Sequence, residues 1–231
     1  LLGALVTLGF NFRGWWIDRG LFEPALARQM LRFGLPLIAS ALFLWLATFS
    51  DRWLIGAFFG AREAGLYAAG YDLQMNLLGV PLAVLQLAGY PLAVNALDTH
   101  GIHAAQTQLR QLGAFIILLV LPEAVGIIMT GPLLATIFLG EEFRPLTVSL
   151  LPVLVAATFL KVAMIYLTYG YFLSARTHLT LISFAAAAVA DIVFNLVLLP
   201  HYGTLGAAVA ALIGFGAGFA VSAVNLRGVF S

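Results

Sequence analysis

The feature that most constrains this chain is a series of six long apolar runs between Gly34 and Asn225, separated only by short polar or turn-forming stretches. A run of about 20 apolar residues spans the hydrocarbon core of a bilayer when helical. In lipid each backbone N–H and C=O must be satisfied inside the protein, and a helix does this within one segment. Composition agrees: 62% of the 231 residues are hydrophobic and 9% charged, whereas soluble domains carry about 25% charged residues. With a mean hydropathy of +1.03, the chain is read as an all-α integral membrane protein. This excludes a soluble enzyme, a nucleic-acid binder and a disordered chain. The formal charge of +1 steers it toward no acidic partner, and the absence of cysteine removes disulfides, thiolate metal sites and thiol nucleophiles together.

Residues Leu1 to Phe12 are apolar but too short to span, and Arg13, Asp18, Arg19, Glu23, Arg28 and Arg32 follow. Residues 1–33 are therefore read as the end of a preceding transmembrane helix and a loop, and 34–231 as a six-helix transmembrane lobe. The expected spans are 34–59, 66–96, 109–138, 146–174, 179–199 and 206–225. Pro36 falls in the first turn of its span, where a missing N–H costs nothing, while Pro81, Pro91 and Pro122 predict kinks. Pro200-His201-Tyr202-Gly203 is read as the tight turn between the last two spans. Because the chain starts at Leu1 and is apolar almost to both ends, it is expected to be a piece of a longer protein.

Alternating the loops between sides places Arg13, Arg19, Arg28, Arg32, Arg110, Arg176 and Arg227 on one side and only Arg62 and Arg144 on the other. Seven against two is a positive-inside bias, and it predicts a cytoplasmic C-terminus.

Ionisable groups inside spans are costly and are functional candidates by default. Here they are Asp51, Arg52, Asp72, Glu123, Lys161 and Asp191. In the second span Asp72, Asn76, Gly79, Ala83, Gln86 and Tyr90 recur at steps of four and three, which places them on one helical stripe. This stripe is expected to face the lobe interior or a central cavity. Asp191 and Asn195 stack four apart in the fifth span, where interhelical hydrogen bonding is the plain structural alternative. Gly206, Ala210, Gly214, Gly218 and Ser222 place a small residue at every fourth position of the last span, which permits close helix contact. Lys161, the sole lysine, sits among Thr158 and Thr168 in mid-span and requires an anion, internal or bound. No nucleophile, base and acid set can be read from spacing. His100, His103, His178 and His201 lie in or beside loops, so neither a catalytic residue, a metal ligand nor a bound cofactor is expected.

Four stretches carry a resemblance. Phe33-Gly34-Leu35-Pro36 opens a span. Ser50-Asp51-Arg52 with Ile55-Gly56 leads to Ala64-Gly65-Leu66-Tyr67-Ala68-Ala69. Ile137-Phe138-Leu139-Gly140 with Phe143 marks an outer loop, and Asn195 to Ala208 reads NLVLLPHYGTLGAA. In this order they resemble the polysaccharide flippases of the multidrug/oligosaccharidyl-lipid/polysaccharide exporter superfamily. The resemblance implies one lobe, the C-terminal one, of a two-lobe transporter whose N-terminal lobe is missing here. It further implies a bacterial cytoplasmic (inner) membrane, membrane lipids and a polyprenyl-pyrophosphate-linked glycan as partners, and translocation by alternating access for surface polysaccharide biosynthesis.

On that reading Arg52, Lys161, Asn76, Gln86 and Asn195 are substrate-binding candidates within a cavity, the two cations facing the pyrophosphate. Asp51, Asp72, Glu123 and Asp191 are candidates for coupling to a proton or sodium gradient. A multidrug or metabolite exporter of the same superfamily is the alternative, disfavoured by Arg52 and Lys161. An integral-membrane glycan-processing enzyme is another, disfavoured by outer loops only a few residues long around Glu141 and Glu142. A structural membrane subunit would instead hold its in-span charges in pairs.

Overall fold

The structure is a computed structural model that describes the backbone of residues 23–174 and 176–230, and the side chains of all of these except 29, 80–86, 88 and 228–230. The expected helix end at Leu1 to Phe12 lies outside the described residues. Every regular element described is an α-helix: α1 (Pro24–Phe59), α2 (Ala61–His100), α3 (Ile102–Phe138), α4 (Arg144–Leu173) and α5 (His178–Phe230). The chain divides into one unit at Leu1–Leu35 and another at Pro36–Ser231, and the helix packing and side-chain sites all belong to the second.

Among the described residues four helices are long and apolar enough to cross a membrane: α1, α3, α4 and the stretch His178–Arg227 of α5. The chain is thus a multi-pass, all-α membrane bundle. α5 holds two helical segments that meet at Gly203, whose φ of 59° and ψ of −144° are not helical. A positive φ there suits glycine, which has no Cβ to clash. The reversal differs from the expected four-residue turn: Pro200, His201 and Tyr202 continue the helix, and Gly203 alone breaks it. Gly60 (φ 89°) and Gly101 (φ 82°) make equally abrupt breaks on either side of α2. The breaks at Gly60 and Gly101 let α2 run past its expected span at both ends and α3 begin seven residues early.

The segments of α5 pack closely. A Cβ at Gly206 would collide with the Leu198 carbonyl, one at Gly214 with Asp191 and the Ala187 carbonyl, and one at Gly218 with Met164 and Ala187. The small-residue stripe of the last span is therefore the contact line between the halves of α5.

α4 is the central helix, packed against α2, α3 and α5. It contributes to all three apolar cores. Leu151, Val155 and Val162 meet Leu112, Ile116 and Val120 of α3. Ala157 and Met164 meet Ala47 of α1 and Phe184, Ala187 and Phe215 of α5. Leu150 and Leu154 meet Ile55, Tyr67, Tyr71 and Leu199. α3, by contrast, leaves Phe115, Leu118, Leu121, Met129 and Leu133 exposed, a surface suited to acyl chains. Hydroxyls on such surfaces are satisfied by their own helix: Thr130 donates to the Gly126 carbonyl and Thr136 to that of Pro132, both at 2.7 Å.

The two ends of the bundle hold different cations. Arg144 donates to the Leu139 carbonyl at 3.0 Å and the Thr136 carbonyl at 3.3 Å, capping the C-terminus of α3. Arg62 reaches Glu142 at 3.6 Å at that same end. Arg110, near the start of α3, shares a cavity with Arg227 near the end of α5.

Candidate functional site

α1 enters the bundle with Ser50 and Asp51 buried, and α5 presents Asp191 and Asn195, also buried, one helical turn apart. The side chains meet. Asn195 Nδ2 donates to Asp51 Oδ1 at 2.7 Å, to Asp191 Oδ1 at 3.2 Å and to the Asp191 carbonyl at 3.1 Å. Ser50 Oγ donates to Asp191 Oδ2 at 2.6 Å. From α2, Tyr67 donates its hydroxyl to Asp51 Oδ2 at 2.7 Å. Two carboxyl groups from different helices are thus joined through one amide and flanked by two hydroxyls.

The inventory of this cluster is lopsided. The two carboxyl groups and the Asn195 carbonyl supply five acceptor oxygens, each with two lone pairs, while two hydroxyl protons and two amide protons are the side-chain donors. Asn195 Oδ1 is buried and has no partner. An oxygen-rich, donor-poor site away from water is suited to a hard cation or a proton. Gly214 lets the second segment of α5 close over it, since a Cβ at that position would strike Asp191.

Arg52, one residue beyond Asp51, faces elsewhere. Its guanidinium pairs with Asp72 of α2 and lies over the rings of Phe49 and Tyr71, each at 5.1 Å to the centroid. Asn76 Nδ2 donates to the Asp72 carbonyl at 2.8 Å, and both residues are exposed. The interior face of α2 is formed instead by Tyr67, Tyr71, Gln74 and Leu78, again at steps of four and three. Aromatic rings and Leu78 bury more apolar area than the polar stripe, so they take the core side. The stripe of Asp72 and Asn76 therefore does not face the interior of this bundle. The side chain of Gln86 lies outside the described residues.

Lys161, on α4, is buried and makes no ion pair among the described residues. Its Nζ sits over the ring of Phe215 at 5.5 Å. Neither Glu123 nor Asp191 neutralises it. Glu123 lies on α3, with Oε2 shielded and without a partner. Among the described residues no three His, Cys, Asp or Glu side chains gather.

Of the residues singled out in the sequence, Asp51, Asp191 and Asn195 come together, Arg52 and Asp72 form a second pair, and Lys161 and Glu123 stand apart. Sequence reasoning missed Ser50, Tyr67 and Gln74. Gln74 is fully buried with neither amide atom hydrogen-bonded. The signal was present in the Tyr67, Tyr71, Gln74 and Leu78 stripe, which competes with the polar one for the core.

No curated protein matches the chain, and no solved structure does. The family model described as "Polysaccharide biosynthesis protein" matches residues 4–149. This region runs through α1, α2 and α3 into α4, and includes Ser50, Asp51 and Tyr67 of the buried cluster. With well over half of its length matched, this multi-pass membrane chain belongs to the polysaccharide biosynthesis protein family.

Proposed function

We propose that the chain is the C-terminal lobe of a flippase of the multidrug/oligosaccharidyl-lipid/polysaccharide exporter superfamily. It moves a polyprenyl-pyrophosphate-linked glycan across the bacterial cytoplasmic membrane by alternating access, together with a further lobe of the same protein, and it performs no covalent chemistry. The C-terminus is cytoplasmic on this reading, from the placement of Arg110, Arg176 and Arg227.

The observation that carries the proposal is the buried cluster of Asp51, Asp191 and Asn195 between α1 and α5. A polysaccharide-family membrane protein that only held a complex together would gain nothing from two carboxyl groups sharing one amide. A transporter gains a switch. When a proton or sodium ion occupies the oxygens, α1 and α5 are held together. When it leaves, the two carboxylates repel and the helices are free to separate. This assigns coupling to Asp51 and Asp191, with Asn195 as their bridge.

Lys161 is assigned to the anionic part of the substrate, since its amine lacks an internal anion and a fixed cation in a low-dielectric site attracts phosphate far more strongly than one in water. Arg52, already paired with Asp72, is assigned the weaker role of releasing that carboxylate for phosphate as the lobes move. Asp72 and Asn76, turned away from this bundle's core, are placed facing the cavity between lobes.

The test is glycan translocation by the full-length protein in proteoliposomes. Lys161→Met, which keeps the volume and removes the charge, is expected to lower the initial rate on the order of tenfold or more, the equivalent of losing one charge-assisted contact. Lys161→Arg is expected to retain most of it. Wild-type rates for Lys161→Met in a normally inserted protein contradict the substrate assignment.

A further inference from the structure

The bundle contains a second polar site that shares no residue with the buried cluster. A cavity of about 430 Å³ opens between the start of α3, the end of α4 and the end of α5, within the size range of small-molecule sites. Arg110 and Arg227 both line it, with Gln106 beside them. No acidic side chain is among its walls, and neither arginine forms an ion pair among the described residues. Two like charges in one recess repel unless an anion lies between them.

The rest of the wall is apolar, from Leu109, Leu167 and Ala223. Its shape is fixed locally. Tyr166 donates its hydroxyl to the Leu109 carbonyl at 2.7 Å, and it can lie flat against α3 because a Cβ at Gly113 would collide with its ring. The tyrosine is therefore a braced wall whose proton is already used, which leaves Arg110, Arg227 and Gln106 as the side chains of the lining with donors to spare. Arg110 lies eight residues into α3 and Arg227 three before the end of α5. At 1.5 Å per residue both sit within about 12 Å of a helix end, the depth of lipid headgroups.

We propose that this cavity binds the phosphate ester of an anionic lipid, one guanidinium fork from each of α3 and α5 holding the phosphate oxygens and the first methylenes lying along Leu109 and Leu167. The bound lipid ties the start of α3 to the end of α5 at the end of the bundle opposite Arg62 and Arg144.

The experiment is native mass spectrometry of the purified full-length protein with dioleoylphosphatidylglycerol, dioleoylphosphatidylcholine or inorganic phosphate at matched concentrations. Phosphatidylglycerol is expected to bind in preference to phosphatidylcholine, and the double substitution Arg110→Gln with Arg227→Gln is expected to weaken it at least about tenfold. Ala223→Phe keeps both charges but fills the cavity, and is expected to give a comparable loss. Equal binding of the two lipids, or unchanged phosphatidylglycerol binding in both variants, overturns the proposal. Inorganic phosphate bound as tightly as phosphatidylglycerol, and lost in the same variants, overturns the lipid assignment in favour of a soluble phosphate.

Discussion

Two buried polar sites in the same bundle are built on opposite terms. Around Asp51, three helices bring every carboxylate oxygen a donor, so the site holds itself together and is short only of positive charge. At Lys161 no anion among the described residues answers the amine, which rests over an aromatic ring at 5.5 Å. Buried groups that satisfy one another stabilise the fold, whereas a buried charge left alone costs stability and persists for what it does when a partner arrives. The first site ties helices to each other, whereas on the proposed function the second is where an anion of the substrate would be held.

The contrast breaks most visibly at Asn195. Asn195→Leu removes the one amide joining Asp51 to Asp191 and leaves two carboxyl groups facing a methyl surface. The expected loss is about 3 kcal/mol, the cost of breaking a buried charged network, measured as unfolding in mild detergent. Lys161→Met is expected to act in the other direction, raising stability by about 2 kcal/mol because a desolvated amine is replaced by an apolar chain of similar size. If both substitutions destabilise equally, the two sites are alike and the contrast fails. Tyr67→Phe sharpens it with a smaller effect: one of the two hydroxyl donors is lost, at about 1 kcal/mol, and the loss should vanish in an Asp51→Ala background, where no acceptor is left, a double-mutant cycle that reads the Tyr67 to Asp51 contact directly.

How much of this is legible in the sequence depends on what each signal measures. The membrane bundle follows from run length and the scarcity of charge, which act over 20 residues at a time. Asp191 and Asn195 can be placed on one face because both sit on one helix. That Asp51 joins them cannot be read, since residues 51 and 191 are 140 positions apart in the chain and no helical period relates one helix to another. The polar stripe of α2 is legible as a stripe, but of its two expected sides, the lobe interior and a central cavity, the interior is taken by another face. The Asp72 and Asn76 face and the Tyr67, Tyr71, Gln74 and Leu78 face are both regular, and α4 decides between them, because its Leu150 and Leu154 pack against the aromatic face. The sharp breaks at Gly60, Gly101 and Gly203 are hidden for a related reason, since glycine in an apolar run reads equally well as a packing residue and as a reversal.

The central claim is that the Asp51, Asp191 and Asn195 cluster couples movement of the glycan to an ion gradient. The most direct measurement is translocation of the lipid-linked glycan by full-length protein in proteoliposomes, with and without an imposed proton or sodium gradient. The account predicts that the wild type accelerates when one of these gradients is imposed, whereas Asp191→Asn, which keeps the shape and the hydrogen bond from Ser50, flips slowly and at the same rate with or without it. An Asp191→Asn protein that still responds to the gradient as the wild type does would contradict it.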